Sequence, residues 1–430
     1  MIKVLLVSLG CSKNTVDSEA ILHLFSTDDF QFVLNPKEAE IIIINTCGFI
    51  LDAKEEAIET IFKMSKYDAK LIVVGCLVAR YKKELIKEMS EVDLFLDFKD
   101  FPLMKEKINE LLGKPYLTHS FDIHQRVYST PSFYGYLKIS EGCSNFCSFC
   151  AIPYIRGGMV SFDMEKLIVD AKEMIKKGTK EIVVIAQDTG KYGLDLKDDK
   201  TNLLELLKRL DELEGIEFIR ILYLYPEEIS DQLLLFISQS KHILHYFDIP
   251  IQHISNKVLK RMNRKDTKES ILLLYKKIKE LMNDAILRTT LMVGFPGESK
   301  KDFQELLEFI GEVKFNHLGV FIFSLEDGTA AAKFKDDVSE EEKKKRKALI
   351  MEKQAQISYR LNKSLIGKTF KGIISSIDKN NTYLVRSVYN LEDELDGKVI
   401  VKGKDGSSLG EMISFIIKDV SVYDLYAEEI

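Results

Sequence analysis

Short aliphatic runs separated by amphipathic stretches dominate the early part of the chain. Lys3–Leu9, Ile41–Asn45 and Leu71–Val74 are nearly continuous in Val, Ile and Leu, the pattern of parallel strands buried on both faces. Ser18–Leu24 and Asp52–Met64 place apolar residues at helical spacing between them. Such alternation predicts an open α/β sheet. A second series follows, with strands expected at Tyr136–Ser140, Glu181–Ala186, Phe218–Tyr223, Tyr246–Ile251, Arg288–Val293 and His317–Phe323. Amphipathic helices such as Asp163–Lys177, Asn202–Glu214, Thr267–Met282 and Lys301–Val313 separate them. Six βα units suit a partial (β/α)6 barrel of TIM-like type, open on one side, with its functional loops after the strands. Lys335–Leu361 reads as a charged helix with a solvated face, opened by a capping box of Ser339 and Glu342. Beyond Gly367 the period changes to two. Thr369–Ile377, Thr382–Val388, Lys398–Val401 and Met412–Val422 predict a small antiparallel β-barrel of OB-like type. The α/β multidomain chain is thus expected to divide into 1–130, 131–335, a linker helix 336–366, and 367–430.

Length and charge narrow the class. At 430 residues the chain exceeds one small core. A net charge of −6 argues against non-specific binding of nucleic acid through its phosphates. Residues 367–430 hold eight Lys or Arg against eleven Asp or Glu, so this module suits a basic protein surface better than phosphates. No apolar stretch approaches bilayer length, and Met1–Cys11 is too short for a signal peptide and lacks its cleavage site. The expectation is a cytoplasmic protein without membrane contact, its six cysteines reduced and free to bind metal.

Three of those cysteines, Cys143, Cys147 and Cys150, occupy one loop. Spacings of this kind hold iron–sulfur clusters, and three thiolates on four irons leave one iron open. A zinc knuckle is the alternative, but such sites pair two C-x-x-C units or add a nearby histidine, and His124 lies well upstream. The others, Cys11, Cys47 and Cys76, each follow one of the first three strands. Ligands of open parallel sheets bind beyond the strands' carboxyl ends, so these thiols are expected to converge there as a second, auxiliary cluster site. Gly10 and Gly75 would allow close backbone approach at the turns. Three buried core cysteines are the simpler alternative.

The loop Glu141–Cys150, with Phe149 before its last thiol, resembles the signature of radical S-adenosylmethionine enzymes. The whole chain resembles the methylthiotransferases among them, which carry a three-cysteine domain, a radical barrel and a C-terminal TRAM barrel. Within that family, Leu9-Gly-Cys-Ser-Lys-Asn-Thr-Val-Asp-Ser-Glu19, Gly75-Cys-Leu-Val-Ala-Arg-Tyr81 and Tyr246-Phe-Asp-Ile-Pro-Ile-Gln-His253 are similar to the branch that modifies ribosomal protein S12. The resemblance implies two [4Fe-4S] clusters. The one on Cys143, Cys147 and Cys150 would reduce S-adenosylmethionine to a 5′-deoxyadenosyl radical, which removes hydrogen from the β-carbon of an S12 aspartate. The one on Cys11, Cys47 and Cys76 would present the sulfur that is methylated and transferred.

No protein acid or base is implied. Phe149, Gln187, Asp188, Gln252, Gly294 and Gly297 are the expected cofactor contacts, and His253 is a ligand contact or a structural histidine. The Lys13-Asn14 pair caps a helix or hydrogen-bonds beside a cluster. The expected partners are S12, free or in the 30S subunit, an electron donor and a sulfur source. Methylthiolation of a tRNA adenosine is the rival reading, and a non-catalytic iron–sulfur sensor that binds ribosomes is a rival of another class.

Overall fold

The computed structural model describes residues 1–197, 200–391 and 395–430. The first sheet comprises β1 (Ile2–Ser8), β2 (Phe30–Phe32), β3 (Ile41–Thr46), β4 (Lys70–Gly75) and β5 (Leu94–Leu96). Its strands are all parallel, in the order β2-β1-β3-β4-β5. Every residue of β3 is buried, because apolar layers cover both faces. Val4, Ile21, Ile43 and Val74 belong to one layer, and Ile42, Ile44, Ala57 and Val73 to the other. The connections reverse direction between β1 and β3, which is where an open sheet of this order binds its ligand. The helix after β1, α1 (Ser12–Leu24), begins six residues before the expected Ser18. Its first turns are polar yet buried, with Lys13, Asn14, Asp17, Ser18 and Glu19 facing protein rather than water.

The second sheet has six parallel strands in simple sequence order: Tyr134–Lys138, Glu181–Ile185, Phe218–Ile221, Ile243–Asp248, Ile286–Val293 and His317–Ile322. Among the described residues the edge strands Tyr134–Lys138 and His317–Ile322 do not pair with each other, so the barrel is partial, as expected. Ile182 and Val184 face the surrounding helices, whereas Val183 and Ile185 face the concave side.

A closed five-stranded barrel follows, formed by Thr369–Ile377, Thr382–Ser387, Val399–Lys402, Met412–Val420 and Leu425–Glu429. The fifth strand lay beyond the four expected. It pairs parallel with Val399–Lys402 and antiparallel with Met412–Val420, and this mixed pairing closes the barrel. The small barrel packs on the amino-terminal end of the six-stranded sheet, where Tyr246 donates to Asp396 (2.6 Å) and His317 Nε2 to the Tyr389 carbonyl (2.6 Å).

The long helix runs over Glu340–Lys363. Ser339 accepts from the Glu342 N–H, but the reciprocal half of the expected capping box is missing, because the Glu342 carboxylate turns to Arg346 (3.0 Å). Nor is its charge simply a solvated face. Lys343 and Arg346 are buried, paired with Asp336 (2.6 Å) and Glu298 (2.8 Å). Among the described residues no helix is long and apolar enough to cross a membrane.

Candidate functional site

The carboxyl ends of the two parallel sheets face one another, and all six cysteines lie there. Cys47 and Cys76 each follow the last paired residues of β3 and β4, Thr46 and Gly75, which are themselves in register. Asn14 ties the three turns together. Its amide donates to the carbonyls of Leu9 (2.9 Å) and Thr46 (3.1 Å), and Cys76 Sγ lies 3.8 Å from its Oδ1. Helix capping, the simpler expectation for Asn14, is not what the side chain does, since α1 has no side-chain cap.

Backbone space at these turns is minimal. Gly75 has φ +98°, and a Cβ there would stand 2.4 Å from Asn45 Oδ1 and 2.6 Å from the Thr46 carbonyl. Gly75→Ala is therefore expected to lose about 1–3 kcal/mol, the range for strain in a left-handed conformation. Denaturation midpoints measure that loss, and iron content after anaerobic reconstitution should fall with it. Unchanged values for both would disprove the account of this turn.

The second trio sits in the loop after the strand Tyr134–Lys138. The Cys143 N–H donates to Gly157 O (3.1 Å), Cys150 N–H to Cys147 O (2.9 Å), and Ile152 N–H to Cys150 Sγ (3.5 Å). Cys147 Sγ lies 3.9 Å from the Tyr225 hydroxyl, whose ring carries the Arg264 guanidinium 4.2 Å above its centroid. Among the described residues no three His, Cys, Asp or Glu side chains gather tightly enough for a single metal ion, as a zinc knuckle requires. Thiolates on separate corners of a cluster stand further apart than ligands that share one ion.

Burial sets the thiols' ionisation. It pushes Cys143 up to about 11 and both Cys76 and Cys150 up to about 12, so they stay protonated until a cation replaces the proton. Cys11 behaves differently. Burial acts in the same sense, but the Lys13 and Arg156 charges outweigh it and its pKa falls below the ordinary thiol value. Its side chain also keeps accessible surface. Thiols with the Lys13 and Arg156 charges close by fit the anionic iron–sulfur clusters expected here.

A buried polar network joins the two trios. Arg156, at the end of the short helix Ile152–Arg156, donates to Asn14 Oδ1 (2.6 Å) and Asp17 (2.9 Å) through one nitrogen and to Glu141 (3.0 Å) through the other. Lys138 also bridges Asp17 (2.6 Å) and Glu141. Two buried cations thus balance the buried Asp17 and the partly exposed Glu141. Burial would raise Glu141, but Lys138 and Arg156 hold it at about 2. Nearby, Arg80 donates to the Gly48 carbonyl (2.8 Å) and pairs with Glu326 (2.9 Å), so the Cys47 turn is braced against the barrel. Sequence reasoning gave neither arginine a role: Arg80 lies within the Gly75–Tyr81 motif without being singled out, and Arg156 carries no motif signal.

The expected cofactor contacts separate into two groups. Gln187 donates to Glu141 (3.0 Å) and its Oε1 is buried without a partner. Asp188 accepts from Asn145 (2.7 Å), leaves Oδ1 unpartnered, and is raised by burial to about 6. Both lie beside the Cys143 loop. Gln252, with φ +68°, lines a groove of about 640 Å³ together with Phe49, Phe149, Thr290, Met292 and Phe323. Gly294 and Gly297 lie elsewhere. The Gly294 N–H is held by Glu298 (2.5 Å), and Cβ atoms on the two glycines would meet Lys343 (2.2 Å) and Arg261 (2.9 Å). This turn touches the groove's lining through Phe295, whose ring packs edge-on against Phe149 at 6.5 Å, and through Gly294 beside Lys343. His253 is fully buried. Its Nδ1 accepts from the Ser255 N–H (3.0 Å), and burial lowers it to about 3, so it stays neutral.

Comparison with known proteins agrees with this architecture. Residues 3–97 match the family described as Uncharacterized protein family UPF0004, and residues 137–310 match the Radical SAM superfamily. The ribosomal protein uS12 methylthiotransferase RimO of Alkaliphilus oremlandii is 45% identical over 98% of this chain and 98% of its own. That of Caldicellulosiruptor saccharolyticus is 43% identical over the full length of both. Among solved structures, the radical S-adenosylmethionine methyltransferase TsrM from Kitasatospora setae, with cobalamin and a [4Fe-4S] cluster bound, shares the fold. It superposes with a TM-score of 0.57 at 12% identity, over 77% of each chain. With full-length identity of this order to its relatives, the chain belongs to the ribosomal protein uS12 methylthiotransferase family.

Proposed function

We propose that this chain transfers a methylthio group to the β-carbon of an aspartate in ribosomal protein S12, using S-adenosylmethionine and two [4Fe-4S] clusters. The observation that carries the reading is two separate trios of thiols on facing strand ends, in a chain whose full-length relatives are named for that activity. Cys143, Cys147 and Cys150 would hold one cluster, and Cys11, Cys47 and Cys76 the other. Once bound, these groups supply the radical and the sulfur, chemistry that protein side chains do not provide.

The chain itself binds, orients and excludes water. Gln187 and Asp188 offer buried acceptors beside the Cys143 loop, suited to the amino group of S-adenosylmethionine. Phe149 and Gln252 line the groove in which the rest of that cofactor would lie. Arg156 and Lys138 keep cations between the trios and fix the two turns against each other. The electron donor, the sulfur source and a cytoplasmic location belong to this proposal as well.

Mass spectrometry of S12 from cells with and without the gene tests the assignment. The methylthio group is expected on an S12 aspartate and should vanish on deletion. Its appearance on a tRNA adenosine instead would transfer the chain to the rival reading. Failure of the reconstituted, reduced protein to release 5′-deoxyadenosine from S-adenosylmethionine would favour the sensor.

A further inference from the structure

One buried cation beside the site lacks the partner that its neighbours have. Lys138 and Arg156 share Asp17 and Glu141, Arg126 holds Glu19, and Arg80 holds Glu326. Lys13 lies in the first turn of α1, two residues past Cys11, and is only 9% exposed. Among the described residues no carboxylate pairs with it. Its ammonium instead rests 3.2 Å from the centroid of the Tyr223 ring. The Cys11 thiol two residues away also feels this charge, but Lys13 has no hydrogen-bonded carboxylate like those of its neighbours, and a ring face offsets only part of the cost of burying a charge.

Tyr223 is placed with unusual care. It follows the strand Phe218–Ile221 at the functional end of the barrel and has φ +61°, a left-handed conformation that a bulky residue rarely adopts. Asp248 Oδ2 accepts from its N–H (3.0 Å), and its carbonyl accepts from Thr189 N–H (3.1 Å). Ser12 Oγ lies 3.5 Å from its hydroxyl. Strain held by surrounding hydrogen bonds is a mark of functional positions. Here it presents an aromatic face to a lysine that comes from the opposite sheet.

We propose that the Lys13 ammonium receives the side-chain carboxylate of the substrate residue, and so selects aspartate over a neutral side chain of the same shape. This rests on the reading that an S12 aspartate is the substrate. That residue must enter between the thiol trios and leave water, so its carboxylate needs a cation there. Lys13 stands beside Cys11, on the side where sulfur would be delivered, and against the barrel mouth, where hydrogen would be removed. Asparagine has the same shape but no charge, and would leave the ammonium unpaired.

The test uses the anaerobic, cluster-loaded full chain with S-adenosylmethionine present and fluorescently labelled S12, read by anisotropy. The unaltered protein should bind S12 at least about tenfold more tightly than S12 carrying asparagine at the target position, the discrimination expected of a charge-assisted contact. Lys13→Gln should bind both forms equally, near the weaker value. Lys13→Arg should restore part of the preference, and this distinguishes charge recognition from a folding defect. Lys13→Arg keeps the charge beside Cys11, so cofactor affinity and the clusters' visible and EPR spectra should be unchanged in that variant.

Retention of the preference in Lys13→Gln would overturn the inference. So would a selective loss of cofactor affinity, which would assign Lys13 to the carboxylate of S-adenosylmethionine, or loss of iron from the Cys11 trio in Lys13→Gln, which would assign it to the cluster. If the unaltered protein neither bound nor modified S12, the functional reading itself would fail, and that outcome is distinct from these.

Discussion

Cys47→Ala is expected to abolish methylthiolation of S12 while leaving release of 5′-deoxyadenosine from S-adenosylmethionine intact, whereas Cys147→Ala should abolish both. Each trio supplies three thiols, so removal of one leaves two and an unsaturated cluster. Loss of outer-shell partners alone commonly costs 10–100-fold in metal affinity or activity, so loss of a ligand should cost at least about 100-fold. The two trios sit on different sheets: Cys47 follows β3, and Cys147 lies in the loop after Tyr134–Lys138. Their turns are fixed by separate backbone contacts, Arg80 on Gly48 and Gly157 on Cys143. Damage at one should therefore stay local. Iron counting with Mössbauer or EPR spectra should show one cluster remaining in each variant. Cofactor cleavage lost in both, or retained in both, would contradict two separately functioning sites.

Much of this arrangement was legible because strands buried on both faces leave continuous aliphatic runs, and three of those runs end in cysteine. The sequence order of the six βα units needed no further information. What escaped notice has particular causes. The start of α1 was missed because its buried face consists of Lys13, Asn14, Asp17, Ser18 and Glu19, and a search for apolar periodicity passes over buried polar residues. Asn14, Asp17 and Glu19 meet Arg156, Lys138 and Arg126, and Lys13 meets Tyr223, all more than a hundred positions away in sequence, while Ser18 meets Ser8 and Asn45. Phe30–Phe32 and Leu94–Leu96 are three-residue edge strands, too short for a periodic signal. Gly294 and Gly297 drew attention as the glycines of a Gly-Phe-Pro-Gly turn, and the turn is real. Its contacts are Glu298, Lys343 and Arg261, so it shapes the groove only indirectly.

The largest expected effect on stability lies at the opposite end of the barrel. Glu181 is fully buried between Arg220 Nε and Arg386 Nε, each 2.7 Å from one of its oxygens. Arg386 comes from the small C-terminal barrel, so this carboxylate joins the six-stranded sheet to it. The guanidiniums are held further by the carbonyls of Ser387 (2.6 Å) and Leu391 (2.8 Å) and lie 4.4 Å and 4.0 Å over the rings of Tyr246 and Tyr134. Glu181→Gln removes the charge the arginines share without changing the volume. Breaking a buried pair from one side costs about 3–5 kcal/mol, and hydrogen exchange should show the loss most clearly at residues 386–391.

Acid should act in the same sense. Burial would raise Glu181, but Arg386 and Arg220 outweigh it and its pKa lies below the ordinary value. A carboxylate depressed in the folded state stabilises fully above its unfolded pKa of about 4.3, and that contribution fades as pH falls toward the folded value. The difference in stability between the unaltered protein and Glu181→Gln is therefore expected to be constant near neutrality and to shrink below about pH 4. A variant with the same midpoint and the same exchange protection at neutral pH would show that the arginines do not depend on this carboxylate, and that the small barrel is held by its apolar contacts with Val183, Ile185 and Tyr246 alone.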